Sequence, residues 1–302
     1  MRVLVSGASG AIGSALCDAL LARGDEVVGL SRDPERARRD NPKVGWHSWQ
    51  PTMERPPAAA FDGVDGVVNL VGEPISQRWT EKAKTAIMES RRVGTRNLVQ
   101  AITALEQRPS VMVSGSAIGY YGDRGESLVD ESTARGEGFA AEVTEEWERA
   151  ADGVGEAGVR LVIVRTGLVL EPVSGLLKQL LTPFRMGVGG PVAGGAQYMS
   201  WIHVDDEVGI LLWALDNPKL RGIVNATAPG PVTNRAFSKT LGSVLGRPSV
   251  VPVPGFAVNL VFGEEFAETV RGGARVMPRR TLDLGYEFEH PELEEALRDL
   301  LR

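Results

Sequence analysis

Cysteine is nearly missing from this sequence: Cys17 is the only one in 302 residues. No internal disulfide can form, and no Cys/His group has the spacing of a metal site, so we expect no metal. Positive charge is also short. Lys and Arg number 33 against 39 Asp and Glu, for a formal net charge of -6. A nucleic-acid partner needs a basic surface, so that class is disfavoured. Long apolar runs are absent too. Nothing approaches the roughly 20 residues of a membrane span, and MRVLVSG enters a strand pattern at once, without a signal peptide. These absences point to a soluble protein of a reducing compartment, most simply the cytoplasm, with no membrane partner.

What is present is ordinary globular material, 43% hydrophobic and 24% charged, enough for one large α/β domain or two smaller ones. Apolar strand patterns at Val3–Val5, Glu26–Leu30, Val67–Val71, Ser110–Ser114 and Leu161–Val164 alternate with helical patterns. The helices run from Ile12 to a stop at Gly24, from Trp79 to Leu105, and from Phe139 to Ala151. Continuous apolar strands separated by helices imply an α/β fold, a doubly wound parallel Rossmann sheet covered on both faces. After Leu170 the rhythm loosens. Gly187–Gly195 and Thr269–Pro278 read as breaks, Ile223–Ala226 as a late strand, and Pro291–Leu301 as a last helix. We expect a nucleotide-binding domain over 1–170 with a late contribution near 200–228. Residues 171–199 and 229–302 should form a smaller, interrupted C-terminal substrate lobe.

The first strand opens into GASGAIG. Gly7 permits a tight turn, Gly10 lets backbone approach a pyrophosphate, and Gly13 lets the helix pack close to the sheet. The helix N-terminus then offers unbonded N–H groups to phosphate. The strand-loop-helix context makes the glycine triplet informative. We place the phosphate site on Gly7, Ser9, Gly10, Ala11, Ile12 and Gly13. The second strand ends in GLSRDP. An NAD site would put an acid there for the ribose hydroxyl, whereas Ser31 and Arg32 suit a 2′-phosphate and hence NADP. Asp33 lies close enough to complicate that reading.

These segments resemble the extended short-chain dehydrogenase/reductase superfamily, in its sugar-nucleotide epimerase branch. NLVG (Asn69–Gly72), VGTRNLVQA, SAIGYYG and SWIHVDD all match its motifs. NLVGEPI, SRRVGT and the ending PRRTLDLGYEFEHPELEEAL are narrower. They resemble the group called epimerase family proteins, which carry a C-terminal domain of unknown function. The resemblance covers the whole chain. It implies NAD(P) binding, adds Leu70, Val71 and Gly72 to the cofactor site, and implies hydride chemistry that uses a serine, a tyrosine and a lysine. The lysine is needed because a phenol near pKa 10 is a poor base at neutral pH without a cation beside it.

The chain departs from that pattern. Phe139 and Val143 occupy the tyrosine and lysine places, and Arg91 stands where the superfamily's helix has asparagine. Ser116 remains. Tyr121, or its neighbour Tyr120, could supply a phenol, although either could as well fill the core. Glu142, on the helical face of Phe139, could act as acid/base, but Glu145, Glu146 and Glu148 around it suggest a solvated face. Arg78 and Trp79 would suit a flat, anionic small-molecule substrate, with an edge anchor as the alternative. We take Ser116, Tyr121 and Glu142 as the catalytic candidates, and expect Phe139 to turn its ring toward the nicotinamide end. The leading expectation is an NADP(H)-dependent oxidoreductase. The rival is a non-catalytic NADP(H)-binding sensor, which the loss of the tyrosine and lysine favours. The acidic run on the Phe139 helix makes a poor two-fold seam, so we expect a monomer in preference to a homodimer.

Overall fold

Seven short strands line up in one parallel sheet, in the order β11-β7-β5-β4-β1-β2-β3. They are β1 (Arg2–Ser6), β2 (Glu26–Ser31), β3 (Gly45–Ser48), β4 (Gly66–Asn69), β5 (Val111–Ala117), β7 (Arg160–Thr166) and β11 (Gly222–Ala226). This is a computed structural model, and it describes residues 1–302 apart from 255, 257, 258, 261 and 262. β1 pairs with β2 on one side and β4 on the other, so the winding reverses between β1 and β4. Ligands of such sheets bind at that reversal, outside the carboxyl ends of the strands.

Neighbouring residues of a strand face opposite sides, and both sides are buried. Val3, Val5, Val68, Val113 and Val164 pack against Leu16 and Leu20 of helix α1 (Ala11–Ala22) and Ile210 and Leu211 of α6 (Val204–Asp216). Leu4, Val28, Val67, Met112 and Ile163 pack against Leu98 and Ile102 of α3 (Glu81–Thr103) and Ala151 and Val154 of α4 (Phe139–Glu156). This alternation is why the strands read as unbroken apolar runs. Truncating one such residue, for example Ile102→Ala, would cost about 2–5 kcal/mol.

A further core of Leu177, Leu181, Phe184, Phe237, Leu241 and Leu297 joins α5 (Gly175–Arg185), α7 (Asn234–Val244) and the last helix, Leu293–Leu300. Small strand pairs stitch it to the sheet domain. β8 (Leu168–Leu170) pairs with β10 (Trp201–His203), β9 (Tyr198–Met199) with β12 (Val232–Thr233), and β6 (Leu128–Val129) with β13 (Arg275–Val276). The late strand β11 is an edge, and side chains cover it. Glu131 accepts the Asn225 N–H at 3.0 Å, Thr281 donates to the Asn225 carbonyl at 2.7 Å, and Arg280 donates to the Ile223 carbonyl at 2.5 Å. An edge spent in this way is closed to strand addition.

Several boundaries differ from the sequence reading, three of them for a plain physical reason. β4 stops at Asn69, because Leu70 turns its carbonyl onto Gly7 and the chain leaves the ladder. α4 runs on to Glu156 through two glycines, held by fully buried Val154. The Thr269–Pro278 break holds the end of a helix, Glu264–Arg271, and then β13.

Candidate functional site

At the reversal the glycines are required by close contact. Gly7 has φ +71°, and a Cβ on it would lie 2.6 Å from the Leu70 carbonyl oxygen. A Cβ on Gly13 would lie 2.2 Å from the Gly7 carbonyl oxygen. The Gly10 N–H donates to the same carbonyl at 2.9 Å and shapes the turn. α1 starts at Ala11 with Gly10 as its cap, and no side chain takes the first N–H groups. Ser9, Gly10 and Ala11 are exposed and Ile12 is half-buried. A tight glycine turn that leads into an uncapped helix start with unspent N–H donors fits a pyrophosphate.

At the end of β2, the Ser31 hydroxyl accepts from the Asp33 N–H at 3.1 Å. The Asp33 carboxylate accepts from the Arg36 N–H at 3.0 Å and caps helix α2 (Pro34–Asp40). The acid that complicated the sequence reading is thus occupied as a helix cap. Arg32 is 71% exposed, and its guanidinium lies 4.0 Å from the Glu73 carboxylate. Glu73 lies within the matched NLVGEPI stretch, but its sequence position does not show that it would stand beside Arg32.

Asn69 ties the strand ends together. It is fully buried, accepts from Ser6 at 2.8 Å, and donates to Thr95 at 2.9 Å and Ser114 at 3.1 Å. The following turn carries half-buried Leu70, buried Val71 and exposed Gly72 beside the phosphate loop. Its far end is held by Ser90, which accepts the Glu73 N–H at 2.9 Å, and by Arg91, which donates to the Glu73 carbonyl at 3.0 Å.

The expected acid/base place is filled by packing. Phe139 meets Trp79 edge-on at 4.9 Å, and Trp79 meets Phe266 at 5.3 Å. Val143 is 1% exposed and lies in the same cluster with Ile87. The Phe139 ring therefore packs against Trp79, and Lys84 Nζ sits 5.6 Å from its centroid. Trp79 is buried and donates to the Ile75 carbonyl at 3.0 Å, which is the edge-anchor arrangement. Arg78 is exposed and donates to the Leu260 carbonyl at 3.3 Å.

The structure does not bring Ser116, Tyr121 and Glu142 together. Ser116 is buried and donates to Glu148 at 2.6 Å. Glu148 takes Arg165 Nε and Nη2, each at 2.8 Å, and Arg165 Nη1 donates to the Tyr121 hydroxyl at 3.1 Å. That hydroxyl donates in turn to Asn225 at 2.7 Å, and burial pushes the phenol up to about 12. The Arg165 guanidinium lies 3.4 Å from the Tyr120 ring centroid. Tyr121 thus fits the packing alternative, and its hydroxyl is committed inside the protein. Glu142 is exposed, in an outer groove of about 620 Å³ shared with Lys84, Arg135, Glu145, Glu146 and Arg149.

Sequence reading missed Glu148 and Arg165. Glu148 was hidden in an acidic run. A signal was available in Arg165, because a charge inside the buried strand VIVRT requires a partner.

Two further acids and a histidine pair lie between α6 and the C-terminal segment. Glu207 is fully buried, receives only the Thr166 hydroxyl at 2.7 Å, and is pushed up to about 8 by desolvation. Asp206 accepts the backbone N–H groups of Glu289 at 2.8 Å and His290 at 3.0 Å. Metal-like spacing was not expected from the sequence. Nevertheless the fold brings ligand atoms of His203, Asp205, His290 and Asp299 within 4.8 Å of one another. His203 Nδ1 accepts the Asp205 N–H at 3.0 Å as the cap of α6, and its ring stacks on His290 at 3.8 Å. Burial, and then the charge of His290, lower the His203 pKa. An Nδ1 used as acceptor leaves the imidazole proton on Nε2, so the group works here as a cap and a stack.

The chain resembles proteins of known sequence and structure along its whole length. The NAD dependent epimerase/dehydratase family matches residues 3–226, and a C-terminal domain of unknown function, DUF1731, matches residues 253–300. Epimerase family protein SDR39U1 of Homo sapiens is 37% identical over 305 residues, covering 100% of both chains. The chloroplastic SDR39U1 homolog of Arabidopsis thaliana is 38% identical over 304 residues, covering 100% of this chain and 87% of the relative. The crystal structure of human SDR39U1 (isoform 2) with NADPH superposes with a TM-score of 0.89 at 37% identity, over 99% of both chains. A nucleoside-diphosphate sugar epimerase from Corynebacterium glutamicum gives a TM-score of 0.80 at 31% identity, over 99% of this chain and 58% of that one. Among the described residues no helix is long and apolar enough to cross a membrane. With its glycine cradle at the sheet reversal and this match over most of its length, the chain belongs to the NAD dependent epimerase/dehydratase family.

Proposed function

We propose that the protein binds NADP(H) and acts as an oxidoreductase of the extended type on a small carbonyl compound. The observation that carries this reading is the cradle of Gly7, Gly10 and Gly13, with Arg32 exposed and Asp33 turned into a helix cap. The related human protein was crystallised with NADPH, which supports the same cofactor here. When bound, the dinucleotide would supply or accept a hydride. The chain's own part is to seat the pyrophosphate on α1, to hold the 2′-phosphate with Arg32 and Ser31, and to fix the post-β4 turn through Asn69.

Epimerisation has less support than carbonyl reduction. It needs a base for a substrate hydroxyl, and the phenol and lysine places hold Phe139 and Val143 in an apolar cluster. Carbonyl reduction can draw its proton from water. We also read the protein as a cytoplasmic monomer, since the outward face of α4 carries Glu142, Glu145 and Glu146; light scattering tests the oligomeric state. The cofactor reading is tested by titrating NADPH and NADH against wild type and Arg32→Ala. Wild type should prefer NADPH. Arg32→Ala should lose about 1.5–3 kcal/mol for NADPH alone, the worth of one charge-assisted contact. Equal affinity of wild type for both cofactors would remove the NADP assignment.

A further inference from the structure

Two arginines are buried at the sheet, Arg160 and Arg165, and both spend their donor forks inside the protein. Arg160 donates to the carbonyls of Ala214, Leu215 and Leu220 at 2.7–3.0 Å. Arg165 is paired with Glu148 and Tyr121. Arg91 differs. Its Nη1 donates to the carbonyls of Glu73 at 3.0 Å and Ile87 at 3.2 Å, and its Nε and Nη2 donate to no group among the described residues. Its guanidinium lies over the Trp147 ring at 4.9 Å. No carboxylate hydrogen-bonds to it. Burial pulls it down to about 10, with Glu73 acting in the opposite sense, so it is still a cation at neutral pH. Its stem and one nitrogen are held by the protein, while Nε and Nη2 are left free to donate to a ligand oxygen.

Its position says what that ligand is. A Cβ on Gly72 would lie 2.9 Å from the guanidinium carbon and 3.0 Å from Nη2. Only glycine lets the guanidinium come so close, and Gly72 itself is exposed. Two residues earlier, the Leu70 carbonyl lies against Gly7 of the phosphate loop. The guanidinium therefore stands beside the loop that leaves β4, one step from the pyrophosphate seat. β4, β5 and β7 form the half of a doubly wound sheet that takes the nicotinamide side of a dinucleotide. It is also the half whose lysine place holds Val143, 1% exposed in an apolar cluster.

We infer that Arg91, reaching in from α3, is the cation of the nicotinamide half, and that its Nε and Nη2 hydrogens bind an oxygen of the ribose-phosphate next to the nicotinamide. This rests on the cofactor reading above. The role is one of binding and positioning, and no bond is made or broken at Arg91.

The test compares NADPH with the adenosine fragment that carries the 2′-phosphate but lacks the nicotinamide riboside. Both are titrated calorimetrically against wild type, Arg91→Met and Arg91→Lys. Arg91→Met should weaken NADPH about 10- to 100-fold and leave the fragment within about twofold of wild type, while Arg91→Lys recovers part of the loss. If Arg91→Met does not fold, Arg91→Gln, which keeps a donor for the Glu73 carbonyl, carries the same comparison. Unchanged NADPH binding in the variant overturns the inference. Equal weakening of NADPH and fragment also overturns it, because Arg91 would then only hold the loop. If wild type binds the fragment but gains nothing from the nicotinamide half, the inference fails and the phosphate-site reading stands. If wild type binds neither ligand, the cofactor reading fails as well.

Discussion

The two halves of the crevice are built differently. Around β1 and α1 the backbone closes on itself, Gly7 against Leu70 and Gly13 against Gly7, and leaves a helix start that no side chain caps. Around β5, α4 and β7 the side chains pack and bond among themselves. Phe139 and Val143 pack with Trp79 and Ile87, and Ser116, Glu148, Arg165 and Tyr121 bond to one another. One half presents open backbone donors, while the other holds an apolar cluster and an internal polar network. Binding and reaction are separable layers of the same sheet, and a family fold certifies the first more firmly than the second.

The sharpest way to break the comparison is to put a side chain into the cradle. Gly13→Ala should abolish NADPH binding, more than about 100-fold, because its Cβ has no room beside Gly7. Fluorescence titration measures the loss, and circular dichroism shows whether the fold survives. The complementary change tries to restore the missing lysine. Val143→Lys should lower stability by at least about 3 kcal/mol in urea unfolding, because it buries an unpaired ammonium among Trp79, Ile87 and Phe139. If it folds like wild type and gains turnover, the packing account of that half is wrong. Arg165→Met should cost a similar ~3–5 kcal/mol, since it strands Glu148.

Glu207 provides a pH-dependent test. Its folded-state pKa, about 8, is raised by burial above that of an unfolded glutamate. The folded state therefore holds the proton more tightly, and stability falls as pH rises from the ordinary carboxylate range through 8. Glu207→Gln should flatten that slope and exceed wild type in stability at pH 9, by ~2–4 kcal/mol in urea titrations.

The smallest effect is expected at the histidine stack. His203 has a lowered folded-state pKa, so acid favours the unfolded chain once pH drops below the ordinary histidine value. His290→Ala should reduce the loss between pH 7 and 5 by about 0.5–1 kcal/mol, by removing the second ring from the stack.

The fold and the cofactor cradle were legible in the sequence for a physical reason. Parallel strands buried on both faces must be continuously apolar, and a backbone pressed onto a ligand must lack Cβ atoms, so both leave local marks. The partners of long-range polar contacts leave none. Glu148 looked like one acid among several, and only the fold sets it against Arg165 and Ser116. Asp33 looked like a rival to Arg32 until α2 began and took its carboxylate. Arg91 stood out as a departure from a motif, but its unspent donors and its contact with Gly72 are properties of packing.

The most direct test of the account is stopped-flow absorbance on NADPH-loaded wild type, against a panel of carbonyl compounds and sugar nucleotides. The account predicts saturable NADPH binding, hydride transfer to a carbonyl compound, and no detectable epimerisation of sugar nucleotides. Rapid epimerase turnover, with Phe139 and Val143 in place, would contradict it.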